Sequence, residues 1–195
     1  LWEKQANPDH FNRIKMVTIS LLLISKSNKI LIDTGNGTKS SEKLIERYNI
    51  DNSKYSVENS LSKYCYEPED ISDVICTHLH FDYAGGNTCF DGHKIVPTFP
   101  NVKYWMPKLN WNPVNSPCPK DSVTYIEPDC CVFEENNMIK LVEGKTRFID
   151  GVDNFITNGH TCGLMHTIIS DEKDTTFFGA DIFPTVAHLQ VLWHG

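Results

Sequence analysis

Apolar and polar positions along this chain fall mostly into short runs. Residues 14–25 are rich in β-branched and apolar side chains and predict a strand; Asn28 opens a turn, and residues 29–33 predict a second strand. Thr34-Gly35-Asn36-Gly37 ends it. Leu44, Ile45 and Tyr48 fall on one side of a helix over 40–48, and 57–64 predict another. A loop at 67–70 leads into a short buried strand at 73–77, followed by a strand at 102–105. Three Pro residues in 112–119 predict an irregular loop. Short strand candidates then crowd the second half, at 139–142, 147–149, 155–157, 166–170 and 175–179. Strands in both halves, with helices mainly between them in the first, predict a mixed α/β domain with two sheets.

Length and composition narrow the function. The 195 residues fit one domain, 1–195, and 40% hydrophobic with 22% charged residues is ordinary for a folded globular chain. A formal net charge of −7 argues against nucleic acid as partner, because phosphate binding needs basic surface. No segment approaches the roughly 20 apolar residues of a membrane span, and no signal peptide is visible, so a cytoplasmic location is expected; a leader before Leu1 is compatible with the sequence. The seven Cys are odd in number and show no C-x-x-C spacing, which predicts free thiols in a reducing compartment.

The chemistry concentrates after the 73–77 strand. His78 and His80 are two apart on an extended segment, so both imidazoles project to one side, and Asp82 continues the alternation. Two nitrogens and a carboxylate in one small volume suit a borderline cation such as Zn²⁺. Gly85-Gly86 lets the backbone turn. His160, in a turn after a strand, and Asp181, at the end of an apolar one, place two more ligand types at strand ends. No phosphate-binding loop or Gly-x-Ser-x-Gly elbow is present.

Thr77-His78-Leu79-His80-Phe81-Asp82-Tyr83-Ala84-Gly85-Gly86 resembles the T-H-x-H-x-D-H-x-G-G signature of metallo-β-lactamase-fold hydrolases. Ile30-Leu31-Ile32-Asp33-Thr34-Gly35 resembles that family's early strand, Gly159-His160-Thr161-Cys162-Gly163 its G-H-T-P-G turn, and Ala180-Asp181 its bridging Asp. Residues 180–193 are most similar to lactonase-like (YtnP-type) quorum-quenching members.

The resemblance implies an αββα sandwich, here cut short at both ends and incomplete at the C-terminus. It implies His78, His80 and His160 as ligands of a first metal, Asp82 of a second, and Asp181 as bridge. Asp33 would orient the metal loop, and Phe81, Phe183 and His188 would line a substrate pocket. One or two Zn²⁺ ions are implied, with Fe or Mn as alternatives. The implied reaction is hydrolysis of an ester or lactone, such as an N-acyl homoserine lactone, by a metal-activated hydroxide. Asp181 would orient that hydroxide and Asp82 would accept a proton. Alternatives are a phosphotriester hydrolase or thioesterase of the same fold, or a metal-poor binding protein without activity. An exposed apolar sheet edge would favour a homo-oligomer.

Four departures stand out. Tyr83 takes the place of a usual His ligand, Cys162 of a Pro, and Leu164 of a frequent outer His. The family's late His beyond the bridging Asp has no counterpart, because His194 follows Asp181 too closely. His10, His93 and His166 lie in no motif and are expected in ordinary loop or strand roles.

Overall fold

The computed structural model describes residues 6–52, 56–115, 124–125 and 128–189. Strands β1 (Leu21–Ile24) and β2 (Lys29–Ile32) form a hairpin closed by Ser25 N–H donating to the Asn28 carbonyl at 2.9 Å. Helix α1 (Glu42–Tyr48) starts at Ser41 and α2 (Val57–Ser62) at Ser56; each serine accepts a backbone N–H three residues on, the usual N-cap. β3 (Asp73–Ile75) is followed by a single helical turn, α3 (Phe81–Ala84), and a hairpin of β4 (Thr88–Asp91) and β5 (Lys94–Pro97). Then come β6 (Lys103–Pro107), α4 (Lys108–Asn115), α5 (Pro128–Glu135) and β7 (Ile139–Val142). The chain continues as β8 (Thr146–Ile149), β9 (Val152–Thr157), β10 (Leu164–Ser170) and β11 (Thr175–Phe178).

The expected two sheets are present. The first has order β1-β2-β3-β6-β7, parallel except for β1; the second, β11-β10-β9-β8, is antiparallel throughout. Alternation along the strands gives the first sheet two apolar faces. Ile30, Ile32 and Ile75 pack with Met165, Ile156 and Ile169 of the second sheet. On the other face Leu31, Val74, Tyr104 and Met106 pack with Leu61 of α2, Trp111 of α4 and Phe133 of α5. These make three layers of an αββα sandwich. No helix among the described residues is long and apolar enough to cross a membrane.

Three expectations are corrected. The 14–25 strand shrinks to Leu21–Ile24. Asp33 turns left-handed, φ 57°, straight after β2, so residues before Leu21 have no ladder to join there. Met16, Val17 and Ile19 are exposed despite their β-propensity, which depends on having a partner. The loop expected at 112–119 begins as helix, since α4 runs to Asn115, and 116–119 fall outside the described residues. The extended reading of the His-rich segment holds only to His80, after which α3 begins.

Candidate metal centre

The C-terminal ends of β2, β3 and β6, and those of β9 and β11 from the second sheet, deliver side chains to one edge of the sandwich. Asp33 leaves β2 buried, at 1% exposure. Thr77, beyond β3, donates to it twice at 2.8 Å, from its N–H to Oδ1 and from its hydroxyl to Oδ2. Thr77 Oγ1 also lies 3.0 Å from His78 Nδ1; with Asp33 ionised and holding the Thr77 proton, Nδ1 is the donor in that contact. The relay fixes the tautomer of His78 and turns the Nε2 lone pair outward. Burial pushes the Asp33 carboxyl up to about 8, against the pull of the two Thr77 donors. Burial, helped by the imidazoles of His80 and His160, holds His78 well below the ordinary imidazole value, so it is neutral.

His78 Nε2 is buried with no hydrogen-bond partner. A buried nitrogen in that state is costly unless an ion completes it. His78, His80 and His160 each offer a ring nitrogen, all within 4.8 Å of one another. His80 Nδ1 lies 3.2 Å from His160 Nε2, and Asp181 Oδ2 lies 3.1 Å from the same nitrogen. Ligands about 2.0–2.1 Å from a tetrahedral Zn²⁺ stand roughly 3.3 Å apart, so the donor set fits such a cation.

Asp82, in the first turn of α3, lies outside that tight group. Burial, then the Asp181 charge, raises its carboxyl to about 6. Asp181 is also raised by burial, with His160 pulling the other way. Tyr83 stands near the Asp181 carboxylate, and its ring lies 4.5 Å from that of His78. Burial, then the charges of Asp181, Asp82 and Asp33, hold it far above the usual phenol value, so it remains a phenol.

The other expected residues are spread around this group. Phe81 is buried, its ring 5.4 Å from Tyr48, whereas Phe183 is 37% exposed. His188 is exposed, bonded to Thr185 Oγ1 at 2.8 Å, and close enough to Asp181 to lower its carboxyl. Leu164 is core, Cys162 is an exposed free thiol, and His194 lies outside the described residues.

Several supports were not visible in any motif. Lys39 Nζ donates to the Gly85 and Thr88 carbonyls at 2.6 Å each. Asn110, fully buried at the start of α4, accepts from Leu79 N–H at 2.7 Å and donates towards Thr161 Oγ1 and the Cys162 carbonyl, both at 3.1 Å. His166 is fully buried; its Nδ1 meets the Gly179 carbonyl at 3.1 Å and its Nε2 meets Thr157 Oγ1 at 2.7 Å, joining the strands that lead to Asp181 and His160.

The chain matches the profile of the Metallo-beta-lactamase superfamily over residues 15–194. An N-acyl homoserine lactonase from a Bacillus species is 29% identical over 164 residues, covering 78% of this chain and 58% of the relative. A probable metal-dependent hydrolase from Staphylococcus aureus, 28% identical, superposes with a TM-score of 0.86 over 96% of this chain and 66% of its own. An N-acyl homoserine lactone hydrolase with the product N-hexanoyl-L-homoserine at its catalytic metal centre is 26% identical; its TM-score is 0.59, over 78% of this chain and 58% of its own. The chain thus spans about three-fifths of the length of the curated relatives it matches.

Proposed function

Because the chain belongs to the metallo-beta-lactamase superfamily, we propose that it is a metal-dependent hydrolase acting on lactones of the N-acyl homoserine type. The convergence of three histidine nitrogens, one of them buried without a partner, carries this reading. His78 Nε2, His80 Nδ1, His160 Nε2 and Asp181 would hold the cation, and an imidazole-rich set with one carboxylate favours Zn²⁺, with Fe or Mn as alternatives. When bound, the cation supplies Lewis acidity, which polarises a carbonyl oxygen and makes hydroxide available near neutral pH.

The side chains do the rest. Asp33 and Thr77 hold His78 in the tautomer that presents Nε2. The Asp82 carboxyl, raised to about 6, is suited to hold a proton from the attacking water and return it. Hydroxyl adds to the lactone carbonyl carbon, the ring C–O bond breaks, and the proton passes to the departing oxygen. The product is the open hydroxy acid. Phe183 and His188, which follow Asp181 in the chain, would face the acyl portion.

The lactone choice is supported by the lactonase relative and by the neighbour with a ring-opened product at its metal centre. The test is elemental analysis of the purified chain alongside a panel of acyl-homoserine lactones, a phosphotriester and a thioester, before and after metal removal. Weak metal-dependent lactone turnover is expected. Phosphotriester turnover with no lactone turnover would overturn the substrate assignment.

A further inference from the structure

We propose that Asn110 is a positioning residue that sets the spacing between the loop carrying His78 and His80 and the loop carrying His160. The proposal rests on the metal-site reading above. Leu79 lies between the two histidines of the first loop, and its N–H donates to Asn110 Oδ1 at 2.7 Å. Thr161 and Cys162 follow His160, and Asn110 Nδ2 reaches Thr161 Oγ1 and the Cys162 carbonyl at 3.1 Å each. One planar amide therefore spans two loops that are far apart in sequence. Tyr125, whose ring lies 5.3 Å from that of His80, joins the same network through its hydroxyl, 3.3 Å from Nδ2 and 3.2 Å from Thr161 Oγ1.

The contact is close on every side. Gly163 has φ 82°, and a Cβ there would lie 2.8 Å from Leu109 Cβ and 3.1 Å from Asn110 N, so the start of α4 abuts the His160 loop. Asn110 itself is 0% exposed. A ligand pair 3.2 Å apart, His80 and His160, has little tolerance for drift between the loops. The amide has the required polarity on both sides: an acceptor for Leu79 and donors for Thr161 and Cys162. A carboxylate would keep the first tie and face the Cys162 carbonyl oxygen with another acceptor, so Asn110→Asp cuts one tie selectively.

The experiment compares the wild-type chain, Asn110→Asp and Asn154→Asp. Asn154 is an equally buried asparagine whose Oδ1 accepts from Thr146 N–H at 2.7 Å, and Thr146 belongs to neither loop. Zn²⁺ affinity is measured by chelator competition, coordination by the visible Co²⁺ spectrum, and stability by melting the metal-free proteins. Asn110→Asp is expected to weaken Zn²⁺ binding roughly 10–100-fold and to change the Co²⁺ bands. Asn154→Asp is expected to lower the melting temperature while leaving affinity and spectrum unchanged. Unchanged Zn²⁺ affinity and Co²⁺ spectrum in Asn110→Asp, or an equal loss in Asn154→Asp, overturns the role of Asn110. A wild-type chain that takes up no metal overturns the metal site and this role together. If Asn110→Asp does not fold, Asn110→Ser carries the test: it adds no charge but is too short to span both loops. Weakened Zn²⁺ binding in that variant is expected, and unchanged binding overturns the proposal.

Discussion

Burial together with the carboxylates of Asp181, Asp82 and Asp33 keeps the Tyr83 proton in place. A phenol becomes a strong ligand only as phenolate, which costs roughly 4 kcal/mol at pH 7 from an unperturbed pKa of about 10, before burial adds more. An imidazole offers its lone pair without that cost. The chain is therefore expected to bind one cation tightly at the three histidines and a second weakly or not at all. Titration with Zn²⁺ beside Tyr83→His checks this: the variant should gain a second equivalent through Asp82 and Asp181. Two tight equivalents in the unmodified chain, with no gain on substitution, would show that Tyr83 does not limit the site. The clustering of His78, His80 and His160, with Asp181 against His160, was legible because strand-end motifs mark it. Asn110 and His166 were not legible. A single buried asparagine or histidine carries no spacing signal, and its partners are distant in sequence.

Among the elements, those with a partner in register were readable from pattern alone. β2, β3 and β7 through β11 fall near where alternation or short apolar runs place them. Residues 14–20 have the composition of a strand without its ladder, and sequence cannot supply the missing partner. The β4–β5 hairpin carries a usable signal: Gly92-His93 forms a two-residue turn between the paired Asp91 and Lys94, with Gly first at φ 61°. α5 begins at Pro128, a common first helical residue, but its weak amphipathic pattern hid it. The Gly85-Gly86 pair does more than turn the chain. A Cβ on Gly86 would sit 2.3 Å from the Thr34 carbonyl oxygen, and one on Gly85 would sit 2.3 Å from that of Asn36. The loop after β2 is thus seated directly on the backbone beyond α3, where Thr34 and Gly35 N–H also bond the Tyr83 carbonyl. Gly86→Ala is expected to destabilise the chain by about 1–3 kcal/mol, the usual result of overpacking. Urea unfolding would measure it, and an unaltered midpoint would show that the two loops separate freely.

At the scale of the whole molecule, the candidate ligands come from both sheets. His78 and His80 leave β3 of the first sheet; His160 and Asp181 leave β9 and β11 of the second. The protein already joins the sheets here through Met165 N–H and the Thr77 carbonyl, at 2.8 Å, but one backbone bond leaves three imidazoles and several carboxylates crowded together. A cation held by these groups links the layers and offsets the raised carboxylates, so metal binding should stabilise the entire fold. An ion that binds the native chain alone contributes about 4 kcal/mol when free metal stands roughly 1,000-fold above its Kd. For a domain of this size, about 2–4 °C accompanies each kcal/mol, so chelation is expected to lower the melting temperature by roughly 8–16 °C. His160→Ala removes the second sheet's imidazole, and most of that metal-dependent shift should vanish while the metal-free melting temperature stays near the wild-type value. Melting curves recorded with Zn²⁺ and with chelator decide the matter. Equal melting temperatures for the wild-type chain in both conditions would mean that no cation couples the two sheets.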